Sequence, residues 1–180
     1  MSIDVKNVIA TTRNEKDFDT ALNSSVNIIF ELAPNILTLA YEVKKAHEKN
    51  KKLYIHIDFA QGIGKDKYGM RYVKELGVDG IISTRTNMIK MAHEAGLDTV
   101  QRFFVVDSHF VDTTIETIKV SKANMIEIMP GMVSKVILRF KTRLNIPIIA
   151  GGLIETVEEA EAAFECGASA ISTGTCALWN

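Results

Sequence analysis

Short apolar runs alternate with amphipathic stretches from one end of this 180-residue sequence to the other, and that alternation limits the possible folds more than any other feature. Eight runs read as strands, at 8–11, 26–31, 52–58, 80–83, 99–105, 125–129, 146–150 and 170–172. Seven stretches between them carry apolar residues at helical spacing, at 15–22, 36–48, 67–76, 87–94, 113–119, 132–143 and 156–165. In the stretch 132–143, Val133, Val136, Ile137 and Phe140 share one face, while Lys135 and Arg139 take the opposite one. Strands joined through helices run parallel, by right-handed crossovers. Eight such units make an α/β fold of the (β/α)8 TIM-barrel type as one domain over residues 1–180, with an open doubly wound sheet as the alternative.

The chain is short for a barrel of this kind, whose usual lower end is roughly 200 residues. Only "TCALWN" follows the last strand, so the eighth helix is expected as a stub. Its absence should leave apolar surface between the last and first helices, to be filled by Leu178 and Trp179 or covered in a homodimer. An internal similarity supports closure. "ELGVDGIIST" (75–84) resembles "ECGASAIST" (165–173), and their glycines, Gly77 and Gly167, stand 90 positions apart, half of 180. A half-barrel repeat puts strands four and eight there.

Apolar residues make up 47% of the chain, enough for a real core, and the formal net charge is −1. Such a balance carries no general signature of nucleic-acid binding, so any RNA surface must be a local patch. Cys166 and Cys176 lack metal-ligand spacing and read as free thiols of a reducing compartment. The start of the chain does not read as a signal peptide, and no apolar run is long enough for a bilayer. A cytoplasmic protein with no membrane partner is expected.

In a parallel barrel, functional side chains gather at the C-terminal ends of the strands. Here these are Glu31, His56, Asp58, Arg85, Gln101, Arg102 and Glu127. In "YIHIDF", His56 and Asp58 are two apart, so on one strand they point to one side, able to hydrogen-bond a polyol or to act as an acid–base pair. Arg85, just past a strand, can bind a carboxylate or phosphate. Gln101 and Arg102 point to opposite sides, so only one faces the mouth. Glu127 interrupts an apolar strand and needs a partner, with Arg85 and Arg102 as the candidates.

Gly151-Gly152 ends the seventh strand and "STGT" (172–175) the eighth. Barrels often bind phosphate with the loops after these two strands and a short extra helix. Gly151, Gly152, Thr173, Gly174 and Thr175 would line that site, with Thr175 opening the extra helix. No serine–histidine–acid order, H-E-x-x-H or Walker motif is present, and the scattered strand-end residues Glu31, His56, Asp58 and Glu127 are poor evidence for a metal site, so none is expected. From 128 to 154 there is no Asp or Glu, while Lys135, Arg139, Lys141 and Arg143 all fall there; Lys135 and Arg139 are the candidate RNA contacts, and "KKAHEKNKK" (44–52) is a second basic group.

The stretches "LYIHIDFAQGIGKDKYG", "GIISTRTNMI", "VQRFFVVDS", "IEIMPGMV", "IPIIAGGLI" and "ALW", taken in order, span nearly the whole chain. Together they resemble the glycerol-3-phosphate-responsive antiterminators, regulators of glycerol uptake operons. The resemblance implies a TIM-type barrel that binds glycerol 3-phosphate, needs no cofactor or metal, and acts on leader mRNA. It points to His56, Asp58, Arg85, Gln101, Arg102 and Glu127 around the ligand, and to Gly151, Gly152, Thr173 and Gly174 around its phosphate. One departure bears on the phosphate: members of the family carry lysines after the last strand, where this chain reads "STGTCALWN". From the residues alone, an enzyme acting on a small phosphorylated substrate, with His56, Asp58 or Glu127 as acid–base groups, ranks first. The resemblance puts the regulator ahead of it.

Overall fold

The computed structural model describes residues 7–106 and 110–180. Eight strands follow in chain order: β1 (Val8–Thr12), β2 (Ile28–Glu31), β3 (Lys52–His56), β4 (Gly80–Ser83), β5 (Asp98–Phe104), β6 (Met125–Met129), β7 (Ile148–Gly151) and β8 (Ala170–Thr173). Among the described residues seven α-helices alternate with them: α1 (Glu15–Leu22), α2 (Leu39–Glu48), α3 (Lys67–Glu75), α4 (Thr86–Glu94), α5 (Phe110–Ser121), α6 (Ser134–Lys141) and α7 (Val157–Glu165). Each strand pairs in parallel with the next, and β8 returns to β1, with Val8 opposite Ile171 and Ala10 opposite Thr173. The sheet is therefore the expected closed barrel.

The period-2 alternation of each strand divides the apolar residues into two cores. Ile29, Leu53, Ile55, Ile81, Ile126 and Ile171 face outward beneath the helices. Ile9, Phe30, Tyr54, Ile82, Val100 and Ile149 fill the barrel interior. Large and small residues interlock there: a Cβ on Gly80 would stand 2.3 Å from the Tyr54 ring. The Tyr54 hydroxyl donates to Asp98 at 2.8 Å, which gives its polar end a partner.

Three helix starts follow side-chain caps. Asn14 accepts from the Asp17 amide ahead of α1, and Asp66 accepts from the Tyr68 and Gly69 amides ahead of α3. Thr156 and Glu159 form a reciprocal capping box on α7. The internal repeat lies where a half-barrel requires it, running into β4 and β8. Gly77 and Gly167 follow the last residues of α3 and α7 at φ +92° and +100°, the left-handed position that ends a helix at little cost only with glycine.

Most differences from the sequence reading are at element ends. β3 stops at His56, because Ile57–Phe59 turns into a 3-10 helix. β7 begins after Pro147, which has no N–H to give to a ladder. α2 starts at Leu39 rather than 36, because Asn35 bridges to Gln61 and its side chain accepts from the Leu37 amide.

The stub of the eighth helix is the 3-10 turn Cys176–Leu178. It packs beside α1 and drives Trp179 fully out of solvent, with Leu178 buried next to it. The Trp179 indole N–H donates to the Thr173 carbonyl at 3.0 Å, and the Ser25 amide donates to the Trp179 carbonyl at 3.1 Å. Two residues thus fill space that a whole helix usually occupies. Truncating Trp179 to Ala should cost about 3–5 kcal/mol, the range for deleting a buried aromatic side chain. Urea denaturation of Trp179→Ala checks this; a loss below about 1 kcal/mol would mean that the stub does not close the barrel.

Candidate functional site

A cavity of about 420 Å³ opens among the loops that follow β1, β7 and β8, with β5 and β6 as its floor. Thr11, Arg102, Glu127 and Ser172 reach it from the strands, and Arg13, Gly152, Gly174 and Thr175 from the loops.

Its floor is a buried ion pair. Arg102 and Glu127 are register neighbours on β5 and β6, on the inner face. The Arg102 Nε–H donates to Glu127 Oε2 at 2.6 Å, and the Ser172 hydroxyl donates to Glu127 Oε1 at 2.6 Å. Glu127 is 0% exposed and Arg102 7%. Of the two candidate partners for Glu127, Arg102 is the one that pairs with it. The pair also explains Gly151: a Cβ there would stand 2.5 Å from Glu127 Oε1 and 2.6 Å from Ser172 Oγ. Gly151 is the space in which the carboxylate sits.

Gly152 has φ +73°, so the two glycines serve different ends: the first makes room and the second turns the chain. The start of α7 does not lie open to an anion. The Glu159 carboxylate accepts from the Glu155 and Thr156 amides, and Thr156 accepts from the Glu159 amide. Thr173 is likewise engaged: its hydroxyl donates to the Ile154 carbonyl at 2.6 Å and accepts from the Thr175 amide at 3.0 Å. This clamp fixes the β7 loop against the β8 loop. Thr175 precedes the terminal 3-10 turn, as expected.

His56, Asp58 and Arg85 form a second cluster, over β3 and β4. Asp58 is not on the strand with His56 but in the following 3-10 turn. Its carboxylate accepts from the Ser83 hydroxyl (2.7 Å), the Thr84 amide (2.8 Å), the Thr84 hydroxyl (3.0 Å) and Arg85 Nε (2.9 Å). Burial raises the Asp58 pKa, but these bonds together outweigh it and hold the carboxyl below its ordinary value. His56 is 1% exposed, and its Nδ1, 4.0 Å from Asp58, has no hydrogen-bond partner. Burial, reinforced by the nearby Arg102 charge, pushes the imidazole down to about 4 against the pull of Asp58. His56 is therefore neutral at pH 7, a buried ring with one free polar edge beside an arginine that lines the cavity.

Two strand-end residues face the helices instead. Gln101 is fully buried, and its amide donates to Thr86 Oγ1 on α4 at 3.2 Å. Of the Gln101–Arg102 pair it is Arg102 that faces the mouth. Glu31 accepts from the Thr12 hydroxyl at 2.5 Å and the Ala33 amide at 2.8 Å beneath α1 and α2, and burial pushes its pKa up to about 7. Lys135 and Arg139 are exposed on α6, away from the cavity-lining residues. The acid-free run they belong to is not acid-free in space, because Arg143 pairs with Asp112 of α5. Among the described residues no three His, Cys, Asp or Glu side chains converge as metal ligands.

The sequence reading did not pick out Thr11, Arg13 or Ser172. For Arg13 the signal was available: "TTR" at the end of β1 repeats the "STR" at the end of β4 that drew attention to Arg85.

The sequence profile of the family described as "Glycerol-3-phosphate responsive antiterminator" matches residues 8–179. YgcP of Escherichia coli K12, itself described as uncharacterized, is 32% identical over 174 residues, 96% of this chain and 91% of its own length. The solved structure of the glycerol uptake operon antiterminator regulatory protein from Listeria monocytogenes superposes with a TM-score of 0.89 at 31% identity, covering 99% of this chain and 98% of that one. A glycerol uptake operon antiterminator-related protein from Thermotoga maritima gives 0.85 at 31% identity, covering 97% and 98%.

Two of the shifted groups, His56 and Glu31, set opposite pH dependences. The His56 imidazole titrates at about 4 when folded against 6.5 when unfolded, so between these values the unfolded chain binds more protons. Its contribution is full above 6.5 and is lost as the pH falls through about 4, amounting to up to about 3 kcal/mol at 1.36 kcal/mol per pKa unit. Glu31, raised from 4.5 to about 7, contributes fully below 4.5 and loses that contribution as the pH rises through about 7. Urea denaturation across this range should show the acid-side loss in the wild type and not in His56→Asn. Equal pH slopes in both proteins would show that the loss has another source.

Proposed function

Because this chain belongs to the family of glycerol-3-phosphate responsive antiterminators, we propose that it binds glycerol 3-phosphate in the barrel mouth and acts on the leader mRNA of glycerol-utilisation genes. The observation that carries this reading is the cavity floored by Arg102–Glu127 and rimmed by Gly152 and Gly174. Its floor suits a polyol. The Glu127 carboxylate can accept hydrogen bonds from hydroxyls, and Ser172 and Thr11 can exchange hydrogen bonds with them, while neutral His56 lies beside Arg102. Its rim suits a phosphate, since the side-chain-free backbone at Gly152 and Gly174 allows close approach. His56, Asp58 and Arg85 then shape the side of the mouth, with Asp58 holding Arg85 in place. Gln101 supports the wall through α4 rather than touching the ligand.

The alternative is an enzyme acting on a small phosphorylated substrate. One observation favours it: a neutral, buried imidazole beside a carboxylate is the kind of group that general acid–base catalysis uses. The readings separate on turnover, because a regulator returns its ligand intact. Calorimetry with glycerol 3-phosphate, followed by phosphorus NMR of the recovered ligand, should show binding and an unchanged spectrum. A product signal that grows with time would favour the enzyme.

Gly174 offers a clean probe of the rim. Its φ is not in the left-handed range, and a Cβ there would meet Thr11 at ordinary contact, 3.5 Å from Oγ1 and 3.9 Å from the carbonyl oxygen. Gly174→Ala should therefore fold with stability within about 0.5 kcal/mol of wild type. Loss of one or two bonds to the phosphate should weaken glycerol 3-phosphate binding by about 1.5–3 kcal/mol each. An unchanged affinity in the folded variant would move the phosphate elsewhere.

For RNA, Lys135 and Arg139 are the proposed contacts, both exposed on α6. Charge reversal at both should weaken leader-RNA binding, flatten its log–log salt slope by roughly 0.7 per lost phosphate contact, and leave glycerol 3-phosphate binding intact. An unchanged slope would direct attention to the basic group at 44–52. The protein is expected to work in the cytoplasm; no helix among the described residues is long and apolar enough to cross a membrane. A homodimer remains the proposed assembly, with light scattering at micromolar concentration as its check.

A further inference from the structure

The terminal stretch after β8, "GTCALWN", contains no Lys or Arg, and among the described residues no lysine lines the cavity. A phosphate between Gly152 and Gly174 would therefore meet no cation from its own two loops. Three arginines stand at strand ends around the mouth, and two of them are already neutralised. Arg85 is tied to Asp58, and Arg102 is tied to Glu127 in the cavity floor. Arg13 is the third. It lines the cavity, its side chain is exposed, and among the described residues it takes part in no hydrogen bond or ion pair.

Building on the proposed function, we infer that Arg13 is the residue that recognises the phosphate monoester end of the ligand. Closure of the barrel places it. Ala10 is opposite Thr173, and a Cβ on Gly174 would stand 3.5 Å from Thr11 Oγ1. Arg13, two residues on, therefore belongs to the loop beside Gly174 and Thr175. Its backbone is held from the α1 side, where Asn14 caps the helix.

The acidic groups nearby do not capture the guanidinium. Asp17 lines the same cavity, but its carboxylate accepts from the Asn14 side-chain amide at 2.8 Å. Glu155 lines it too, exposed and without a bond to Arg13. On its other side Arg13 borders a smaller cavity with Glu31 and Glu42. Neither of these bonds to it, and burial raises the pKa of both carboxyls. With Arg102 and Glu127 cancelling, removal of Arg13 leaves Asp17 and Glu155 as the remaining charges among the described residues that line the cavity, and both repel a phosphate dianion. A guanidinium answers this geometry better than an ammonium would, since its planar fork can give two parallel N–H bonds to one phosphate.

The test compares wild type, Arg13→Gln and Arg13→Lys by calorimetry, with glycerol 3-phosphate and with inorganic phosphate as probes. Arg13 is exposed and unbonded, so matched thermal melts are expected for all three proteins. Arg13→Gln should bind glycerol 3-phosphate roughly 10- to 100-fold more weakly, the effect of losing charge-assisted bonds, and Arg13→Lys should recover part of that loss. Inorganic phosphate should follow the same order. If wild type and Arg13→Gln bind glycerol 3-phosphate equally well, the inference is overturned while the functional reading stands. If wild type binds inorganic phosphate but not glycerol 3-phosphate, the functional reading falls, and loss of phosphate binding in Arg13→Gln still upholds the role of Arg13. A wild type that binds neither anion overturns both.

Discussion

A carboxylate buried at the top of a barrel is the constraint around which the rest of the mouth is arranged. Taking Glu127 out of water without a partner would cost several kcal/mol. Arg102 on the next strand answers its charge, and Ser172, two strands away, takes its second oxygen. Those bonds in turn require a residue without a side chain at Gly151, because the carboxylate and the serine hydroxyl occupy the volume a Cβ would need. The Arg102 charge is also the second cause of the depressed His56 pKa. One ion pair therefore governs a glycine on β7, a serine on β8 and a histidine on β3. Removing either partner of such a pair typically costs 3–5 kcal/mol, because a lone buried charge remains.

The polar residues of the mouth divide into those that build it and those that face its contents. Thr173 locks the β7 loop to the β8 loop, the capping box of α7 absorbs its own amides, and Asp58 orders the β4 loop through four bonds. These groups are spoken for. Arg13 and Gly174, which line the cavity, are not, and a ligand has most to gain from them.

The barrel was legible because its evidence is periodic and repeated: eight apolar runs, seven amphipathic stretches and the two equivalent glycines Gly77 and Gly167. The site was legible only in part. Choosing His56, Arg102 and Glu127 needed only strand-end position, and each lies at an inner-facing strand end. Gln101 was harder, since a shift of one residue reverses the face of a side chain and sequence alone does not say which of Gln101 and Arg102 points inward. The placing of Asp58 assumed a strand two residues longer than it is. The reason for Gly151 was out of reach, because its neighbours Glu127 and Ser172 are distant in sequence and meet it only in the closed barrel. Arg13 was passed over although it follows an apolar run just as Arg85 does, and the same signal had been read at Arg85.

The cavity has one further property, which follows from which loops surround it. It is bordered by the loop after β1 and by the loops after β7 and β8. These loops follow the first and last strands of the closed sheet, and they meet beside the short 3-10 turn that follows β8. Whatever occupies the mouth therefore touches the first and last strands at once, like a clasp fastened over a join. Its binding energy would bear directly on the lateral opening of the barrel.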